Sequence, residues 1–552
     1  MGRAGATRPE PRPRPSPTRD MALGLTFVVL AFAGLARAFA PHTVDDAWIT
    51  FRYSLQWAMG HGPVFNPDEH VEGYSNFLLM LVLTPIVRVA GAHAALPAAK
   101  GIGLGSALLA IVGAGVLARR SAGGARWAEV AGIAAAALVA CSTAFAYHAM
   151  SGLETSLYAC LLTWGVTGLV SVRGRGIVLG GVALALAALT RPEGPFVCAL
   201  ACGVASSVRA WGERAQPPPQ RGAIAPAPVP WRALAIAGAL LCVAVIAQLV
   251  FRHWAYDGEW LPNTFYAKTG GSGDRVAYVH GALRAPFLGD LGLLLALAGW
   301  AFGGAPASAA LVPAIVGIVG ASLPLAVGAD WMPAARLVVP YLPLLAVTVA
   351  IGWARLLVRA RRGGTGLLSA LLLLSAPLAL AFQWNERTAL AEGAAIETAG
   401  AKSGHGALAA WLRGHAKPDD AIVLMDIGEV GYRCIEQRVV DVTGLTDRHI
   451  GKSPGTFMAK RFDIDYIWAK RPEFIVLTVL GRNAPEAPLH PFSSMEERLG
   501  ADSTFQREYL RAKDPSDSTR LAGPGALPGA ASQFEYATPG HRYVLAVYHR
   551  RD

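Results

Sequence analysis

The sequence predicts a polytopic α-helical membrane protein with a C-terminal domain of α/β or mixed character. Three observations predict it. Hydrophobic residues make up 53% of the chain and charged residues only 16%, against roughly 25% charged in soluble domains. The apolar residues gather in runs near the ~20 that cross a hydrocarbon core. Beyond Gln383 these runs stop, and short β-type segments punctuated by Pro and Gly replace them.

The net charge of +11 looks at first like a nucleic-acid signature. The basic residues, however, lie in short clusters: between Arg3 and Arg19, at Arg119, Arg120 and Arg126, at Arg173 and Arg175, between Arg209 and Arg232, and between Arg355 and Arg362. Clusters between apolar runs follow the positive-inside rule, so the charge reports topology and no nucleic-acid partner is expected. Five of the six cysteines sit in or beside apolar runs, Cys434 alone lies in a polar region, and no CxxC is present. Neither a disulfide framework nor a cysteine metal site is expected.

Taken in order, residues 1–20 read as a disordered, basic, Pro-rich cytoplasmic tail. The run 21–40 is longer than a signal-peptide core and reads as a retained anchor. With the N-terminus inside, residues 41–98 form a first exterior loop. Within it 47–59 reads as a short amphipathic helix, and 74–90, interrupted by Pro85 and Arg88, as a juxtamembrane or re-entrant helix. Spans follow at 99–118, 127–148 and 153–172. The segment 176–208, broken by TRPEG at 190–194, reads as two short helices, and a basic Pro-rich loop follows. Further spans at 233–251, 287–303, 307–327, 337–354 and 366–383 bring the count to about eleven. A second exterior loop covers 252–286. The transmembrane unit is thus 21–383, and residues 384–552 form a separate domain outside the cytoplasm, large enough for its own core.

Polar residues of unusual kind recur beside these spans. Asp45 and Asp46 open the first loop, and Arg52, Tyr53, Asn66, Glu72, Tyr74 and Asn76 follow. Either aspartate can also serve simply as the N-cap of the helix that follows. Glu154 stands at the outer end of a helix, where the dipole alone accounts for an acid. Arg191 and Glu193 in TRPEG suit a structural ion pair. The 252–286 loop carries Asn263, Tyr266 and Lys268 in LPNTFYAK, and GADWMPAARLVVPYLP carries Asp330 and Arg336. Aromatics are expected at an interface, but Asn263 and Lys268 are not explained that way. Arginine is the natural donor to phosphate oxygens. Every group except TRPEG falls on the outer face under a topology drawn only from Lys/Arg counts and span lengths. They converge on one exterior-facing site.

The same motifs carry a resemblance. DDAWITFRYSLQWAMGHGPVFNPDEHVEGYSNF, SGLETSLY, LTRPEG, LPNTFYAK, GADWMPAARLVVPYLP and VVDVTGLTDRHIG, in that order, resemble the GT-C superfamily of membrane glycosyltransferases. More narrowly, they resemble the terminal arabinofuranosyltransferases of actinobacterial cell walls. The resemblance implies a polyprenyl-phosphate sugar donor, an acceptor glycan outside a bacterial cytoplasmic membrane and, as catalytic base, a carboxylate of the first loop. That carboxylate is Asp45 or Asp46, with Asp45 preferred as the first acid of the motif. Arg52, Lys268 and Arg336 become candidates for the phosphate. Tyr53, Asn66, Glu72, Asn76, Glu154, Asn263, Tyr266 and Asp330 become candidates for substrate contacts. Some relatives use a divalent cation, for which Asp46, Glu72 or Glu154 are the candidate ligands.

The chemistry suits these residue types. A lipid phosphate leaves as a stable anion, so one base and cationic groups on the phosphate suffice, with inversion at the anomeric carbon. Two readings compete. One keeps the enzyme and changes the sugar, to mannose or aminoarabinose. The other is a lipid or glycan transporter, suggested by the broken TRPEG helices. Against transport stand the absence of an internal repeat and acids placed at the surface rather than the midplane.

Overall fold

The computed structural model describes residues 19–122, 127–214, 230–268, 274–287, 289–302, 307–330, 332–362, 387–482, 490–509, 531–538 and 541–551. The expected tail up to residue 18 and the expected span at 366–383 lie outside these. Among the described residues, six helices are long and apolar enough to cross a bilayer: Arg19–Arg37, Ala92–Ser121, Gly194–Arg214, Trp231–Ala255, Ser308–Val327 and Val339–Ala360. Two bent pairs raise the number to eight. The chain is a multi-pass membrane protein, and its described residues hold fewer full-length spans than the sequence suggested for them. The helices Thr155–Leu169 and Gly174–Ala188 have 15 residues each. At 1.5 Å per residue they rise about 22 Å, short of the ~30 Å hydrocarbon core. The expected span 127–148 is also broken. Its two halves meet at 61°, where Ser142 caps the second half by accepting from the Phe145 N–H at 3.2 Å.

Small residues let the short helices approach closely. Gly168 of Thr155–Leu169 faces Gly180 of Gly174–Ala188, and a methyl on either would collide with the other's backbone. The two ends of the bundle differ in chemistry. At the C-terminal end of Thr155–Leu169, Arg120 donates to the Thr167 carbonyl at 3.1 Å, and Arg209 to that of Ser171 at 2.6 Å. At its N-terminal end stands Glu154. Arg120 and Arg209 thus stand at one end of this helix and Glu154 at the other.

The C-terminal part opens with a helix over 387–401 and folds around a six-stranded mixed sheet. Its strands are β1 (Ala421–Leu424), β2 (Arg438–Asp441), β3 (Phe474–Arg482), β4 (His490–Pro491), β5 (Ser532–Thr538) and β6 (His541–His549). They run in the order β2-β1-β3-β6-β5, with β4 beside β3. β1 is parallel to β2 and β3, while β6 is antiparallel to β3 and β5. Period-2 alternation divides the strands between two cores. Ile422, Leu424 and Val476 join Leu408 and Leu412 and reach Tyr53, Phe65, Tyr74 and Tyr256 of the membrane unit. Val423, Ile475 and Leu477 pack instead against Met495, Leu499 and Phe505. The β-type segments AIVLMD, RVVDV, EFIVLTVL and YVLAVY of the sequence fall on β1, β2, β3 and β6. β5, SQFEYAT, is too polar to have stood out.

Between sheet and bundle lies the helix Asp45–Met59. The sequence suggested an amphipathic surface helix, but residues 49–56 of it are all buried. It is covered on one side by the C-terminal unit and on the other by the helix Phe77–Ala90 and the bundle.

Candidate active site

Asp45 and Asp46 open this helix but do not cap it. Val44 holds the N-cap position, and both carboxylates fall in the first turn, where they favour the positive end of the dipole. A helical step of 100° separates adjacent side chains, so the two acids face different surroundings. Asp45 turns to the C-terminal unit. Its carboxylate accepts from the backbone N–H groups of Gly428 at 3.0 Å and Glu429 at 2.8 Å, at the start of the helix Gly428–Arg433. A Cβ on residue 428 would strike the Asp45 carbonyl and carboxylate, so the contact requires glycine there. Burial pushes the Asp45 carboxyl up to about 6, with His405 opposing and Asp426 and Asp46 adding to the rise.

Asp46 faces a cleft. Its carboxylate lies 3.7 Å from the Lys268 ammonium and 3.8 Å from the Arg336 guanidinium, and about a fifth of the side chain is exposed. The cleft is lined by Asp46, Thr50, Asn76, Thr264, Lys268 and Arg336, among others. Behind it Glu154 is buried between two arginines, 2.9 Å from Arg191 and 3.4 Å from Arg336. Asn76 donates to Glu154 at 3.1 Å and accepts from Thr50 at 2.9 Å. Burial would raise the Glu154 carboxyl, but Arg336 and then Arg191 outweigh it and hold it down at about 2. The expected Arg191–Glu193 pair forms at 2.6 Å. TRPEG, which the sequence left apart from the site, is joined to it through Arg191 and Glu154.

Ala334 and Ala335, just before Arg336, adopt φ of 60° and 47°. Such left-handed conformations are strained for alanine and persist where surrounding structure imposes them. Here the buried His148 ring contacts the Ala334 carbonyl at 3.1 Å. Asp330 lies at the same turn and accepts from the Met332 N–H at 3.3 Å.

Other candidates are placed away from the cleft. Arg52 is fully buried, and all five of its N–H groups point to protein acceptors. These are the carbonyls of Phe65 (2.7 Å), Gly431, Cys434 (2.9 Å) and Gln437 (2.9 Å), with Asn66 at 3.2 Å. No donor is left for a phosphate, so Arg52 holds the C-terminal unit instead. Asn66 pairs with both backbone groups of Val439, at 2.8 and 3.0 Å. Asn263 donates to the Gly444, Leu445 and Asp447 carbonyls. Tyr53 donates to the Val71 carbonyl at 2.6 Å and accepts from Gly73 at 2.8 Å. The Tyr266 ring lies under the Lys452 ammonium at 4.9 Å, and its carbonyl accepts from Lys460.

The candidate metal ligands do not form a set. Glu72 is paired with Arg252 and Glu154 with Arg191 and Arg336. Among the described residues, no three His, Cys, Asp or Glu are grouped to hold an ion. Residues that sequence reasoning passed over include Arg252 and the His405–Asp426–Tyr543 cluster. The His405 ring lies 3.1 Å from Asp426, and Tyr543 donates to the same carboxylate.

This architecture is the GT-C fold, as the sequence motifs suggested. The chain is similar over 95% of its length to ArnT from Cupriavidus metallidurans bound to undecaprenyl phosphate, at 15% identity and a TM-score of 0.56, covering 97% of that chain. Against the apo state of that protein the figures are 14% and 0.55, covering 96% of this chain and 98% of the other. Residues 393–531 match a family described as a domain of unknown function, DUF8728. No curated protein matches the chain.

Proposed function

We propose that this protein is a membrane glycosyltransferase that moves a sugar from a polyprenyl-phosphate donor to an envelope glycan. The reaction is placed on the outer side of a bacterial cytoplasmic membrane. One observation carries the reading: a carboxylate, Asp46, set between Lys268 and Arg336 at a cleft. It is supported by the fold, shared with a protein that binds undecaprenyl phosphate. The acceptor hydroxyl gives its proton to Asp46 as its oxygen attacks the anomeric carbon. The bond from that carbon to the phosphate oxygen breaks, and polyprenyl phosphate leaves with the electron pair. Lys268 and Arg336 exchange the carboxylate for the phosphate and stabilise it as it leaves. Glu154, ionised and fixed, aims Arg336 from behind.

Asp46 is preferred to Asp45 as the base because both Asp45 oxygens are engaged by backbone N–H groups, whereas Asp46 lines the cleft. Arabinofuranose is the favoured sugar on the sequence motifs, with aminoarabinose and mannose next. Among the described residues the acids do not form a metal-ligand set, and no step is assigned to an ion. The test is to give the purified protein each of the three polyprenyl-phosphate sugars and follow donor consumption. Consumption of the arabinofuranosyl donor is expected. If none is consumed while another glycosyltransferase turns over in parallel, the proposal fails.

A further inference from the structure

A second, larger cavity of about 730 Å³ opens where the first loop, the 252–268 loop and the C-terminal unit meet. That size suits a ligand of several rings. Its walls come from three stretches far apart in sequence, and Arg448 ties them together. Arg448 donates to the His70 carbonyl at 2.6 Å, the Tyr256 carbonyl at 3.3 Å and the Asp257 carboxylate at 3.2 Å. Lys470 bridges Asp447 at 3.1 Å and Glu69 at 3.3 Å. Asp68 and Asp257 enter the walls through left-handed turns, with φ of 64° and 50°.

The lining identifies the ligand class. Asp68, Glu69, Asp257 and Asp447 face Arg448, Lys452 and Lys470, so four carboxylates meet three cations. Such a balanced surface has no net attraction for a polyanion. It does offer acceptors and donors side by side, which is what a polyhydroxylated chain needs. His449, exposed at the rim and stacked on Tyr466 at 4.2 Å, adds a flat ring for a sugar's apolar face.

The cavity also backs onto the catalytic cleft. Leu445 lines the cleft and Thr446 lines the cavity; on the facing segment Gly73 lines the cleft and Val71 the cavity. Consecutive Cα atoms lie about 3.8 Å apart, so the partition is one chain thick. Asp441 stiffens it by accepting from Thr443 and Thr446, backbone and hydroxyl alike.

We infer that this cavity is a remote subsite for a neutral acceptor glycan, gripping sugar units some distance from the hydroxyl that reacts. The inference rests on the glycosyltransferase reading, but its test is binding without turnover. Fluorescently labelled neutral hexasaccharides and disaccharides of arabinofuranose, and of mannose, are titrated against the full-length protein in detergent, beside a sulfated hexasaccharide. A neutral hexasaccharide should bind about tenfold or more tightly than its disaccharide. Ser453→Trp, which adds a bulky ring at the cavity wall, and His449→Ala should each bring the hexasaccharide down toward the disaccharide level. Thermal melts confirm that both variants fold. Equal binding of the two lengths by wild type, unchanged hexasaccharide binding by Ser453→Trp, or tighter binding of the sulfated chain would each overturn the subsite. Length-dependent binding without transfer from any donor would instead count against the enzymatic reading alone.

Discussion

At the scale of single residues, the polar groups divide by what their hydrogen-bonding atoms already touch. Arg52 has spent every N–H on protein carbonyls and Asn66, whereas Arg336 keeps a buried Nε without a partner among the described residues. That difference separates a docking residue from one able to take a phosphate. Glu154 is the residue on which the site's charge depends. Glu154→Gln leaves Arg191 and Arg336 short of a buried counter-charge, a change that typically costs about 3–5 kcal/mol. The variant should melt several degrees lower. Its carboxyl is depressed in the folded protein, so its contribution is complete above the ordinary carboxylate range and disappears as pH falls toward about 2. The acid limb of the melting profile should therefore be shallower in the variant, and a melt series in detergent reads both effects. The sequence showed which residues were unusual but not how they divide. Arg52 and Asp45 find their partners at Gly428, Gly431 and Cys434, hundreds of positions away, and no local pattern announces such a pairing.

At the scale of elements, the helix Asp45–Met59 joins the two halves of the molecule. Its first turn presents one carboxylate to the Gly428–Arg433 helix and the other to the cleft, so docking and site geometry share one element. Local patterning found this helix, the TRPEG break and four strands. It missed the helix's near-complete burial because the covering surface is the sheet, and it took the bent 128–150 pair for one span. The docking face also carries His405. Burial works against its charge, but Asp426, by hydrogen bond and by charge, then Asp45 and Glu429, lift it to about 9. A raised histidine contributes stability that is complete below about 6.5 and is lost as pH rises through 9. Melting temperature should therefore fall between pH 7 and 9.5. His405→Gln should flatten that fall; an identical slope in the variant would show that another group titrates there.

At the scale of the whole molecule, the acids and the mixed-sheet unit stand at one end of the bundle and Arg120 and Arg209 at the other. The positive-inside rule predicts that the sheet lies outside the cytoplasm, and labelling tests it. In a chain with its six cysteines replaced, Ser503→Cys on the sheet unit should react with a membrane-impermeant maleimide added to intact cells. Arg175→Cys should react only after lysis. The reverse pattern would invert the topology. The role proposed for Asp46, between Lys268 and Arg336, is to take the proton of the acceptor. Its most direct test is kcat at saturating donor for Asp46→Asn and Asp45→Asn side by side, both confirmed folded. We predict that Asp46→Asn loses about 10²–10⁴ of the rate, the usual worth of a general base. Asp45→Asn should retain most of the rate and lose stability instead. Full activity in Asp46→Asn, or a loss confined to Asp45→Asn, would contradict the assignment.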